Sequence, residues 1–269
     1  MSNREKRQVE HIEERSTPPT PVIYDLVRRL GDEEMARPAT SLWWSGLAAG
    51  LSMSFSLLAE AILRLHLPEA AWRELVVALG YPTGFVMVVL ARQQLFTETT
   101  ITVVLPITAH PTARNFARGA RMWGIVLAAN LAGTLLAALF ASFTPVVDRA
   151  LHDAMLEVSR RALEHPWLEM GFRAVTAGFL MAAMVWLIPA SEAAQFHVIV
   201  LMTYLIGVSG SAHIVAGSVE AFMLVANGQL GVVPLLGQFV LPVLAGNVIG
   251  GTVLFALIAY AQVMKEIRR

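Results

Sequence analysis

Residues 196–226 form one apolar run that is too long for a simple helix and carries a histidine at its centre. It reads Phe196 to Gly210, then Ser211-Ala212-His213, then Ile214 to Ala226, and Ser209-Gly210-Ser211 interrupts it. An ionised side chain at mid-bilayer depth costs roughly 2.5–3.5 kcal/mol on insertion scales, so an ionisable residue there marks a functional site by default. Broken backbone at that depth is tolerated only where its freed N–H and C=O groups are buried in protein or line a wet cavity. Break and histidine together predict a pore or binding site near the membrane centre, with His213 in its wall.

The rest of the chain fits a bilayer. It is 56% hydrophobic and 15% charged, against about 25% charged residues in a soluble domain. The formal net charge of zero leaves no basic footprint for nucleic acid. Without cysteine, disulfides, thiol catalysis and thiolate metal sites are excluded. The N-terminal stretch is charged and then proline-rich, with no apolar core, and so does not read as a signal peptide. Residues 1–37 are expected to form a cytoplasmic N-terminal segment, 38–263 a transmembrane channel domain, and 264–269 a cytoplasmic tail. Within the first, Val22, Ile23, Leu26, Val27 and Leu30 fall on one face of a short amphipathic helix.

A membrane span needs about 20 mostly apolar residues. The pattern predicts an all-α membrane protein with six transmembrane helices, near 41–63, 75–109, 117–142, 170–190, 195–227 and 233–263. The second and fifth are too long, and each holds a polar interruption: Arg92-Gln93-Gln94 and Ser209-Gly210-Ser211. Each reads as two half-helices. Lys and Arg concentrate before span one, between spans two and three, and after span six, which puts both termini in the cytoplasm of an inner-membrane protein. The 143–169 loop lies outside and is polar enough for a short surface helix.

The halves echo each other. Asn130-Leu-Ala-Gly-Thr134 resembles Asn247-Val-Ile-Gly-Gly251, and the spacings Leu95 to Asn130 and His213 to Asn247 differ by one residue. Three spans per half force opposite insertion, and inverted repeats with paired broken helices place a site at the midplane. Asn130 and Asn247 read as packing positions beside small-residue runs such as Gly46-Leu-Ala-Ala-Gly50.

These residues resemble the formate/nitrite transporter family from about Gly31 to Tyr260. The resemblance rests on Gly31-Asp32-x-x-Met35-x-x-Pro38, Leu95-Phe96-Thr97, Asn130-Leu-x-Gly133, Ser209-Gly210-x-x-His213-x-x-Ala216 and Asn247-x-Ile249-Gly250-Gly251. It implies an aquaporin-like fold, a homopentamer with one pore per protomer, and passage of a small monovalent anion or its conjugate weak acid, such as formate, nitrite or hydrosulfide, together with protons. It also implies that His213 is the central pore histidine and that Thr97 is the loop threonine beside it. Tyr81, Phe85 and Ile206 match constriction positions. The family's vestibule lysine, span-four asparagine and pre-histidine acid are replaced here by His165-Pro166-Trp167, Ala182 and Ala212.

Histidine suits proton exchange, because its ordinary pKa of about 6.5 lets modest changes of environment switch its charge. Thr97 is expected both to cap the second half-helix and to line the pore. Arg92 is expected either to pair with Glu98 or Glu220 or to attract anions directly, with the two acids as its charge partners. No enzyme motif, cofactor site or metal site is read from the chain. Two alternatives remain at this stage: a neutral-solute pore, or a membrane scaffold with a sealed pore and a partner-docking N-terminal segment.

Overall fold

The computed structural model describes residues 18–267, and within them every regular element is helical. Helix α1 (Thr20–Ala36) ends where Arg37 turns extended before Pro38, as proline demands of its predecessor. Then come α2 (Ala39–His66), α3 (Arg73–Leu90), α4 (Phe96–Ala109), α5 (Ala113–Phe143), α6 (Arg149–Ala162), α7 (Trp167–Ala190), α8 (Gln195–Val208), α9 (Ala216–Ala226) and α10 (Val232–Val263). Five of these, α2, α3, α5, α7 and α10, are long and apolar enough to cross a membrane. The shorter apolar helices α4, α8 and α9 adjoin the two interruptions expected from sequence, at residues 91–95 and 209–215. The second run is not split evenly: α3 has 18 residues, including a tighter 3-10 turn at Ala78–Gly80, before the chain breaks.

Local chemistry sets the starts. The Thr112 hydroxyl accepts from the Asn115 N–H (3.2 Å) to open α5, and the Asp148 carboxylate accepts from the Leu151 N–H (2.8 Å) to open α6. Both α2 and α7 begin directly after a proline, Pro38 and Pro166. Helix α6 is the expected surface helix of the 143–169 loop.

On α1 the apolar face is narrower than the sequence pattern implies. Ile23, Tyr24, Val27, Gly31 and Met35 are buried, whereas Val22, Leu26 and Leu30 are exposed along its flank. The expectations for residues 1–17 and 268–269 lie outside the described residues.

Two helix pairs carry the packing, α2 on α5 and α7 on α10. Both pairs close through glycine. A β-carbon on Gly50 would run into the Asn130 carbonyl, and one on Gly178 would run into the Asn247 carbonyl. Such contact brings backbones close enough for a side chain of one helix to serve a broken neighbour. Helix α10 is also wound as π-helix over Leu235–Val240 and Ile249–Ala256, on both sides of Asn247. Extra-wide turns of this kind recur near functional sites.

Candidate functional site

Asn130 and Asn247 do more than pack, contrary to the expectation from sequence. Asn130 Oδ1 accepts from the Phe96 N–H (2.9 Å), while its Nδ2 donates to the Gly46 and Gln94 carbonyls (2.8 and 2.9 Å). Asn247 Oδ1 accepts from the Ile214 N–H (2.8 Å), while its Nδ2 donates to the Ala174 and Ala212 carbonyls (2.8 and 2.9 Å). Both asparagines are fully buried. Each one satisfies one N–H and one carbonyl that the break sets free in the protein interior. In this matching, Leu95 occupies the place of His213.

His213 is buried at the end of the second break and uses both ring nitrogens. Its Nδ1 accepts from the Val215 and Ala216 N–H groups (3.2 and 3.1 Å), two donors at the start of α9. Nδ1 therefore carries no proton, and the network assigns the proton to Nε2. Nε2 lies 2.7 Å from the Thr97 hydroxyl oxygen and donates to it. Thr97 sits inside α4 rather than at its cap. The cap position is Leu95, which offers no side-chain bond, so the expected capping role passes to no side chain and the threonine hydroxyl is left for His213. The break itself turns at Gly210, in the left-handed region (φ 62°), which glycine adopts without strain. Arg173 braces this turn, donating to the Gly210 carbonyl (3.2 Å) and pairing with Glu169.

Aromatic and apolar groups close around the imidazole. Phe85 meets His213 edge-on, with ring centroids 5.1 Å apart, and Tyr81 lies 5.2 Å from Phe85. Ile206 is fully buried. A cavity of about 280 Å³ reaches Tyr81 and His213 from the side of α6 and is lined further by Glu60, Arg64 and Glu220. Phe85, Ile206 and Thr97 lie outside its lining and carry almost no exposed surface.

The charged residues fall differently from the sequence expectation. Arg92 is exposed at the first break, with a left-handed backbone (φ 52°). Among the described residues it forms no ion pair, so the expected partnership with Glu98 or Glu220 is not made. Glu220 instead faces the cavity beside His213. Glu98 lies in the first turn of α4, with one carboxylate oxygen buried and without a partner.

The formate/nitrite transporter family model matches residues 21–261. The chain belongs to the formate/nitrite transporter family. It is 41% identical over 260 residues to the inner membrane protein YfdC of Escherichia coli, covering 97% of this chain and 84% of that protein. The formate channel FocA of Haemophilus influenzae is 24% identical, over 81% of this chain and 84% of its own. Among solved structures, a pentameric formate channel with formate bound superimposes with a TM-score of 0.71 at 18% identity, covering 84% of this chain and 98% of that one. An ion channel of the same family gives 0.73 at 20% identity, covering 90% and 98%. These likenesses establish a family membrane channel fold for this member.

Sequence reasoning missed Glu60. It sits inside the 28-residue apolar helix α2, and an acid within a predicted span was signal enough. The ion-pair group around buried Arg64, which holds Glu74 and reaches Glu157 (3.0 Å), joins three separate elements and leaves no sequence spacing to detect.

Proposed function

We propose that this family member is an inner-membrane channel or transporter for a small monovalent anion or its conjugate acid, of the formate, nitrite and hydrosulfide class. Six crossings arranged as an aquaporin-like inverted repeat, with α3–α4 and α8–α9 as broken crossings, account for the two matched asparagine contacts. A homopentamer with one pathway per protomer, and cytoplasmic termini, complete the reading. The carrying observation is the 2.7 Å contact between Thr97 and His213, made between the two breaks beside the inner end of a cavity.

The pathway runs from that cavity past Tyr81, Phe85 and Ile206 as apolar constrictions. A bare anion crosses such a stretch at high cost, and a neutral acid crosses it more cheaply. His213 supplies the central proton exchange. For the ring to gain a second proton, Nδ1 must release the two amides of α9, and an anion beside the ring then compensates the new charge. Proton exchange is thereby tied to occupancy. Arg92, exposed and without an ion pair among the described residues, is the cation available to an anion at the first break.

Flux of formate, nitrite, hydrosulfide and acetate into proteoliposomes between pH 5 and 8 tests this reading, beside His213→Ala. The expected result is flux that rises toward acid pH and loses that dependence in the variant. Folded protein that passes none of the four would overturn the substrate class. A pH profile unchanged in His213→Ala would remove the histidine from the mechanism.

A further inference from the structure

Glu60 on α2 and Glu220 on α9 are each more than nine-tenths buried, and both line the cavity that ends at His213. Neither carboxylate has a hydrogen bond or ion pair among the described residues. The backbone of Glu60 lies against Gly80, next to Tyr81, so the acid, the phenol and Glu220 share one wall. The other charged or titratable groups facing the cavity are Arg64, Glu74, Arg161, Glu164, His165 and His213. Most are already matched. Arg64 holds Glu74 and Glu157, Arg161 holds Glu74 (2.8 Å), and His165 lies 3.2 Å from Glu169 and 4.0 Å from Glu164. His213 is spent on Thr97 and the α9 amides. Among the described residues no cation forms an ion pair with Glu60 or Glu220, and Arg64, one turn along α2 from Glu60, is already engaged by Glu74 and Glu157.

Two unpaired carboxylates in one buried cavity resist being charged together, and each ionised one repels any anion entering behind it. Low-dielectric walls focus that field along the route to His213. We infer that Glu60 and Glu220 make the mouth of the pathway select its substrate by protonation state, admitting the neutral weak acid and refusing the bare anion. The inference rests on the weak-acid pathway proposed above and adds a second titratable station in series with His213. While a carboxylate is ionised, a substrate molecule enters only with its own proton attached. That proton stays on the substrate oxygen or sulfur until the molecule reaches the histidine. No bond at the carboxylates is made or broken on passage.

The test compares formate with nitrate, which stays an anion throughout the range used. Proteoliposomes carrying wild type, Glu60→Gln, Glu220→Gln and the double Gln variant are assayed at about pH 8.5, alkaline enough to charge a buried carboxylate. Glu60→Asp and Glu220→Asp serve as charge-keeping controls, and the oligomer of each variant is checked by gel filtration. Wild type and the Asp controls should prefer formate over nitrate by about tenfold or more, the scale on which a focused field changes local ion concentration. In the double Gln variant that preference should shrink to about threefold or less, through faster nitrate entry. Equal passage of formate and nitrate by wild type overturns the inference, as does a preference that survives both Gln substitutions. Ammonium passing faster than formate also overturns it, and would make the pair a cation site. A wild type that passes formate, with selectivity indifferent to the two glutamates, removes this inference and leaves the proposed function standing. Absence of weak-acid flux in wild type removes both.

Discussion

The breaks at residues 91–95 and 209–215 are fastened in the same way and furnished differently. In each, an asparagine from a neighbouring helix accepts one N–H of the turn, Phe96 or Ile214, and donates to two carbonyls, one of the break and one of a further helix. In front of that N–H stands Leu95 in one case and His213 in the other. Leu95 is buried and its side chain offers no hydrogen bond to the start of its helix. His213 gives Nδ1 to two amides and Nε2–H to a threonine belonging to the opposite break. At the first break Ser45 and Glu34 accept further hydrogen bonds from Gln94 (3.1 and 2.9 Å), and that turn is held inside the protein without an imidazole. The imidazole is therefore additional to what the backbone needs, which points to chemistry.

The largest effect should come from the part the two breaks share. Asn130→Ala and Asn247→Ala each strand one N–H and one carbonyl of the break in a buried place, at about 1–3 kcal/mol for each unsatisfied group. Both should lower the thermal unfolding midpoint in detergent steeply and to a similar degree. Marked loss at only one of them would break the equivalence. Next, His213→Leu writes the first break into the second. It should cost about 1–3 kcal/mol for each of the Val215 and Ala216 N–H groups left without their acceptor, while flux falls at least about tenfold and its pH dependence flattens, the scale general acid–base groups contribute. Unaltered flux would reduce both breaks to architecture. A smaller effect is expected from Thr97→Val, which removes the acceptor of Nε2–H for about 1 kcal/mol. Flux should drop several-fold, and Thr97→Ser should restore it.

The smallest effect sharpens the comparison from outside the spans. Glu34 on α1 accepts from Thr102 on α4 and from Gln94 at the first break (2.7 and 2.9 Å). Burial raises its pKa above the ordinary carboxylate value, although these two donors pull the other way. The folded protein then binds this proton more tightly than the unfolded chain does. Stability from Glu34 is accordingly full below the ordinary carboxylate pKa and is lost as pH rises through the raised one. The unfolding midpoint should decline between pH 5 and 8, less so in Glu34→Gln. Four residues before Pro166, where the second half would carry its equivalent, stands Ala162, so no matching slope is expected from α6.

Much of this was legible in the chain. Apolar runs and their interruptions located the first break within a residue and the start of the second, which runs on to residue 215 through apolar residues that give no sign of a break. His213, Thr97, Tyr81 and Phe85 come together as their positions within the motifs implied. The function of Asn130 and Asn247 was hidden, because a short N-x-x-G repeat looks the same whether its amide packs or bonds. The Arg92 pairing failed because helical spacing says which residues share a face, and not which face turns outward. Glu60 lies in a span of ordinary length with no interruption to mark it, although a carboxylate there carries the same signal as a histidine in a broken span.

The asparagine fastening has a kinetic consequence. A carrier exposes its site first to one side and then to the other, so some element beside the site must swing. Here each turn is tied by two hydrogen bonds to an asparagine whose third bond anchors it to a further helix, Ala174 on α7 or Gly46 on α2, and those helices pack backbone against backbone through glycine. Swinging either turn would break both of its bonds at once. Solute loaded on the far side should therefore not hasten entry from the near side, and flux should follow the gradient with little saturation, as through a fixed conduit.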